Sequence, residues 1–157
     1  MTIAAVTGHR QLSPDQQLFV ESELERVMDK LAPQVAISGM ALGVDTWWAE
    51  IALERGVALH AYVPFPTQAS RWPAAAQDRY RGLLELAAEV VTIAPTYRRR
   101  VFQERNEAMV DACDVLVGVW DGRHTGGTWN CLEYACRVGR ELVLVDPASR
   151  RTVRRRA

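Results

Sequence analysis

Short apolar runs alternate with longer segments of helical periodicity along the whole chain. Ile3–Val6 is short and apolar and predicts a first strand. From Pro14 to Leu31 apolar positions recur every three or four residues, which predicts a helix. Ser13 is placed to cap that helix, Pro14 suits its first position, and Pro33 stops it. Val35–Ser38 predicts a second strand. Asp45–Arg55 predicts a second helix with Gly56 just beyond its end, and Ala58–Val63 a third strand. A loop holding Pro64, Pro66 and Pro73 leads to a helix across Ala74–Ala88. The second half repeats the rhythm: strand Val90–Ile93, helix Val101–Ala112, strand Val115–Val119, helix Thr128–Val138 ended by Gly139, and strand Leu142–Val145.

Strand-helix alternation implies parallel strands joined by right-handed crossovers. The expected fold is a single α/β domain over residues 1–148, a doubly wound, mostly parallel sheet flanked by helices. Val115–Val119, apolar throughout, has the pattern of a strand covered on both faces. Residues 149–157 carry five arginines and are expected to be a solvated, frayed tail. In such sheets ligands bind beyond the carboxyl ends of the strands, so the turns after strands one, two, three and five are the places for chemistry.

Composition narrows the classes. The chain has 157 residues, 48% hydrophobic and 24% charged, which fits one ordered domain. The formal net charge is +0, which disfavours nucleic acid as a partner. The three cysteines are odd in number and form no CxxC, so a disulfide framework and a metal site are not expected. Neither a signal peptide nor an apolar run of membrane-spanning length is present, so no membrane association and a cytoplasmic location are expected. No cofactor is expected.

Three glycine-bearing turns carry the candidate chemistry. After strand one come Thr7, Gly8, His9 and Arg10, where glycine permits close backbone approach and arginine offers a fork of donors for phosphate. After strand two, SGMALGVD places Ser38, Gly39, Met40, Gly43 and Asp45 at the opening of a helix. Free N–H groups and the helix dipole make such an opening an anion site. Capping the helix is the structural alternative for Asp45. After strand five, Trp120 and Asp121 precede Gly126, Gly127 and Thr128, again at a helix start. Arg105 and Asn106 open the helix before strand five and Glu133 lies one turn and a half beyond Thr128; both are within reach of the same pocket. Trp72, with Trp120, is an aromatic on a predicted loop that offers a flat surface for a base. No GxGxxG or Walker A spacing occurs.

SGMALGVD resembles the SGxAxGxD turn of the SLOG superfamily, which includes DprA and the cytokinin-activating LOG enzymes. PFxxQxxxW (Pro64, Phe65, Gln68, Trp72), Tyr80, Arg105-Asn106, the strand ending VWDG and the triplet GGT together resemble its YpsA-like branch. The similarity runs from Thr7 to about Val145. It implies a Rossmann-like fold, a pocket for a nucleotide-derived ligand and a homo-oligomer. LOG enzymes carry PGGxGTxxE, whose glutamate acts with an arginine on an N-glycosidic bond. Here the run is TGGTWNCLE, with the threonine and Glu133 two residues further apart.

Three functions follow. One is a module that binds a phosphate-containing, nucleotide-derived small molecule as a sensor. The alternative is a nucleoside 5′-monophosphate N-glycosidase with Glu133 and Arg105 as catalytic residues. A third is DprA-like binding of single-stranded DNA, resting on the arginine-rich tail.

Overall fold

A computed structural model describes residues 1–156. The strands are β1 (Ile3–Thr7), β2 (Val35–Ser38), β3 (Ala58–Val63), β4 (Glu89–Thr92), β5 (Val115–Val119), β6 (Glu141–Asp146) and β7 (Arg151–Arg155). The helices are α1 (Pro14–Leu31), α2 (Val44–Glu54), α3 (Ala74–Leu86), α4 (Val101–Ala112) and α5 (Gly126–Arg137). The strands form one sheet in the order β4-β3-β2-β1-β5-β6-β7. All neighbouring pairs are parallel except β6 with β7. The fold is therefore a Rossmann-like α/β sheet, as the alternation predicts.

Each helix starts and packs for identifiable reasons. The Ser13 hydroxyl accepts from the Gln16 amide at 3.3 Å and the Gln16 side chain accepts from the Ser13 amide at 3.2 Å, closing the start of α1. Val20, Leu24, Val27 and Met28, at helical spacing, bury against Ala4, Val6, Val115 and Val117. Trp47 and Trp48 of α2 are both in this layer, so both tryptophans serve the core. Helix α3 extends it against Leu59, Ala61 and Val63. Helices α4 and α5 cover the opposite face through Met109, Val110, Cys131, Leu132 and Ala135 against Ala5, Ile37 and Leu116.

The last segment departs from expectation. Arg151–Arg155 is not a frayed tail but an edge strand antiparallel to β6, with Leu144 opposite Val153. Arg154 donates to Glu141 at 2.5 Å and the Thr152 hydroxyl to Glu23 at 2.6 Å, so partners from elsewhere in the sequence hold a strand that its own composition does not announce. Elsewhere the boundaries move by a few residues at most; β4 begins at Glu89 rather than Val90, and α5 begins at Gly126 rather than Thr128.

The chain fills β1 to β4 outward in one direction, then returns to lay β5 on the other side of β1. The crevice between the turns after β1 and β5 is the switch point of the sheet. The turn after β1 rests directly on the opening of α2. A Cβ on Gly8 would stand 2.7 Å from a methyl of Val44, and one on Gly43 would stand 2.5 Å from the Arg10 carbonyl oxygen and 2.7 Å from that of His9. Gly43 also has φ +81°, a conformation that side chains disfavour. Gly43→Ala is therefore expected to destabilise the protein by at least about 1–3 kcal/mol, from strain and from overpacking together. Urea unfolding of the variant checks this, and an unchanged midpoint would contradict the close approach.

Candidate functional site at the carboxyl ends of the central strands

The turn after β2 is closed by its own polar side chains. The Ser38 hydroxyl donates to the Asp45 carbonyl at 2.7 Å and accepts from the Met40 amide at 3.1 Å. The Asp45 carboxylate accepts from the Ala41 amide at 3.2 Å, and the Thr46 hydroxyl donates to the Ala41 carbonyl at 2.7 Å. Met40 adopts φ +61° within this web. The Val44 amide donates to the His9 carbonyl at 3.4 Å. At the opening of α2 the amides of Met40, Ala41 and Val44 are thus bonded within the protein and are not among the donors an anion would meet there. Asp45 is also not the helix cap. Gly43 takes that position, and the Asp45 carboxylate ties the turn from inside the first helical turn.

What this turn holds instead is Arg105. Its Nη1 donates to the Gly39 carbonyl at 2.6 Å and its Nε to the Asn106 side-chain oxygen at 3.1 Å; Nη2 belongs to neither bond. Gly39 is required by the guanidinium itself, since a Cβ there would lie 2.7 Å from Nη1 and 2.9 Å from the Asp45 carboxylate. Arg105 is only 6% exposed, and burial lowers its pKa against the raising field of Asp45. Burial pushes the Asp45 carboxyl up to about 6, opposed by the Arg105 guanidinium and the Ala41 amide.

Around this buried pair lies a cleft of about 410 Å3, lined among others by Thr7, Gly8, His9, Arg10, Asp45, Arg105, Asn106, Gly127 and Thr128. Helix α5 opens onto it. Its cap residue Thr125 makes no side-chain bond to the first amides, which leaves the helix start free to meet a ligand. His9 stands at the rim, its Nε2 buried, 3.7 Å from an Asp121 carboxylate oxygen and bonded to no protein group. Burial lowers the His9 pKa, with Asp121 acting against it, so the imidazole is neutral near pH 7. Asp121 is fixed by the Arg123 amide at 3.1 Å and the Arg123 Nε at 2.8 Å. A second groove of about 630 Å3 adjoins the cleft and shares Arg10 and Phe102 with it.

Of the residues singled out from sequence, Thr7, Gly8, Arg10, Asp45, Arg105, Asn106, Gly127 and Thr128 line the cleft. Ser38, Gly39, Met40 and Gly43 stand behind it as its support. Gln68 and Trp72 line the adjoining groove, and Pro64 is buried beside it with its carbonyl accepting from Ala94 at 3.1 Å. Gly126 opens α5 with φ +92°. Trp120 points away and stacks with His124 and Trp129, at centroid distances of 5.6 and 5.4 Å. Glu133 is exposed and is not among the residues lining the cleft. Thr128 and Glu133 are five residues apart, which turns them about 140° from each other around the helix. Phe102 and Met109 line the cleft without having been anticipated. Both lie on the face of α4 that carries Arg105, three and four residues away, and that spacing was the available clue.

Residues 1–155 match the family described as DNA recombination-mediator protein A. The chain belongs to that family. A curated relative, a UPF0398 protein of Bacillus pumilus, is 30% identical over 145 residues, covering 80% of this chain and 77% of the relative. Among solved structures of the same fold, DNA processing protein A (DprA) from Streptococcus pneumoniae superposes with TM-score 0.73 at 21% identity, covering 92% of this chain and 50% of that one. DNA processing protein A from Helicobacter pylori, described for its single-stranded DNA binding mode, gives TM-score 0.68 at 21% identity, over 92% of this chain and 65% of that one. The molybdenum cofactor carrier protein of Chlamydomonas reinhardtii gives TM-score 0.59 at 18% identity, over 91% and 75%. The chain thus spans half to two thirds of the length of the DprA structures. No helix among the described residues is long and apolar enough to cross a membrane.

Two outcomes test this geometry. Gly39→Ala puts a methyl where the guanidinium lies, without a left-handed backbone to strain, and is expected to destabilise the fold by about 1–3 kcal/mol as Arg105 is displaced. A double variant with Arg105→Ala removes the clash, so the second Gly39 penalty should largely vanish; full additivity would show that the two do not meet. The second outcome concerns pH. Asp45 ordinarily titrates at 3.8 and is pushed up to about 6 when folded, so the folded chain holds this proton more tightly than the unfolded one. Its contribution to stability is most favourable below about pH 4 and is lost as pH rises through about 6, an effect of up to about 3 kcal/mol. Asp45→Asn lacks it, so the variant should gain on the parent between pH 4 and pH 7 in parallel urea titrations. A constant difference would remove the raised pKa from the account.

Proposed function

We propose that the cleft binds a phosphate-containing, nucleotide-derived small molecule and that the protein works as a binding or sensing module. The observation that carries this reading is the convergence of three kinds of anion donor on one concavity. These are the uncapped start of α5 at Gly127 and Thr128, the exposed side chain of Arg10, and the buried guanidinium of Arg105. Arg10 takes part in no ion pair among the described residues. With Asp45 ionised it leaves the cleft with an excess positive charge, since His9 is neutral near pH 7. The molybdenum cofactor carrier protein among the structural neighbours is in keeping with a small-molecule ligand.

The N-glycosidase reading is weaker, because Glu133, the residue it needs, lies outside the cleft. Single-stranded DNA is the second reading. The expectation that nucleic acid is disfavoured rested on a zero net charge and loses its support beside the Helicobacter pylori neighbour. The same donors would meet a backbone phosphate.

Isothermal titration of the protein with AMP, GMP, inorganic phosphate and a single-stranded oligonucleotide separates these readings. A mononucleotide is expected to bind, and Arg10→Ala is expected to weaken it about tenfold or more, the loss of one charge-assisted hydrogen bond. Free base released from AMP on long incubation, abolished by Glu133→Gln, would restore the enzyme. Binding confined to the oligonucleotide, with a steep salt dependence, would replace the small molecule by DNA. No binding of any of the four would end the reading.

A further inference from the structure

The cleft is one half of a longer site. The adjoining groove, of about 630 Å3, meets it at Arg10 and Phe102, which line both. A ligand pocket ordinarily spans roughly 300–1,000 Å3, so each compartment alone is of ligand size. Their walls differ in kind. The cleft is walled by glycine turns, a helix start and the Arg105–Asp45 pair. The groove is walled by rings: Phe65 meets Tyr97 edge-on at 5.9 Å and 81°, and Phe102 at 5.8 Å and 70°. Phe102 is the partition, because the Arg105 guanidinium stands 5.9 Å from its ring centroid on the cleft side. Tyr97 is 63% exposed, a large ring held open to solvent beside the buried Phe65 and the half-buried Phe102.

Two polar features point to what the groove takes. Gln68 donates through Nε2 to the Tyr80 hydroxyl at 3.3 Å and to the Gly39 carbonyl at 3.5 Å, which fixes the orientation of its amide. The Oε1 atom is then left buried and bonded to no protein group. A ligand hydroxyl or amino group would satisfy that orphaned acceptor. Arg10, at the junction, is a cation without a carboxylate partner among the described residues, placed where the two compartments meet. A planar group for the rings, a hydrogen-bond donor for Gln68 and a negative charge for Arg10 are the parts of a second nucleoside and its phosphate.

Resting on the reading above, we propose that the bound molecule has two nucleoside-like halves joined through a diphosphate. One half lies in the cleft. The diphosphate spans Arg10 and the start of α5. The second base lies against Phe65, Tyr97 and Phe102, with its sugar or amino group toward Gln68.

Titration of the full chain with AMP, ADP and diadenosine diphosphate, and with the matching guanine series, tests this. The dinucleotide is expected to bind at least tenfold more tightly than the mononucleotide with the same base. Tyr97→Ala, an exposed substitution that leaves the core intact, is expected to remove most of that excess, about tenfold for a lost stacking partner, while leaving mononucleotide affinity unchanged. Gln68→Leu is expected to cut the dinucleotide selectively as well. Equal affinities for AMP and diadenosine diphosphate, with no effect of Tyr97→Ala on either, would overturn the two-compartment ligand and leave the phosphate-binding cleft standing. Failure of all these molecules to bind would instead remove the cleft reading and this inference with it.

Discussion

The candidate site depends on one backbone-to-backbone contact, between the turn after β1 and the opening of α2. Gly43 lies against the carbonyls of His9 and Arg10, and Gly8 lies against Val44. Side chains at either glycine would hold the two turns apart by the width of a methyl group or more. The contact brings residues from distant parts of the sequence to one crevice: His9 and Arg10 from the first turn, Asp45 from the second, and Arg105 from a helix on the opposite face of the sheet. It also explains why the crevice forms at the centre of the sheet, since β1 is flanked there by β2 on one side and β5 on the other.

The buried charge of Arg105 is the second constraint. Burying a guanidinium is costly unless hydrogen bonds and a counter-charge offset it. The protein supplies the Gly39 carbonyl, the Asn106 side chain and a carboxylate whose own burial raises its pKa. Asp45 is thus a counter-ion that is itself reluctant to ionise, and the surroundings of Arg105 remain short of negative charge. An arriving anion makes good that shortage, and the desolvated setting strengthens the interaction relative to one on the open surface. The two glycines at Gly39 and Gly43 therefore do different work from the one the turn's sequence advertises. They make room for a side chain and for a neighbouring turn.

That difference marks where sequence reasoning stops. The strands and helices of the first half are legible because each has a clear period and a chemical stop, such as Ser13 and Pro33 around α1. The apolar run of β5 announces a central strand, and it is buried along its whole length. The arginine-rich last strand has no such pattern. It is a strand because β6 offers a free edge and because Glu141 and Glu23 lie where Arg154 and Thr152 arrive, and both are facts of tertiary structure. The turn after β2 was legible as a glycine turn at a helix start, which is a common anion site. Whether its amides stay free is decided by where Ser38 and Asp45 turn their oxygens, and in this chain they turn inward. Glu133 fell to helical phase. Thr128 and Glu133 lie about 140° apart around α5, so the rotation that turns Thr128 to the cleft turns Glu133 to solvent.

A formal charge of zero hides this arrangement, because the charges are cancelled locally and unevenly. Much of the basic content is consumed in exposed pairs: Arg26 with Glu23, Arg55 with Asp29, Arg79 with Glu50, Arg98 with Glu104, Arg154 with Glu141. Such pairs contribute little to stability individually. Their consequence here is electrostatic: they remove positive field from the surface around the helices, while Arg10 keeps its charge at the mouth of the crevice. A crevice flanked by low-dielectric walls concentrates the field of the charges left within it. The balance of the whole chain therefore says little about what this end of the sheet attracts. The relevant quantity is the sum over Arg10, Arg105, Asp45 and the amide end of α5, and that sum is positive.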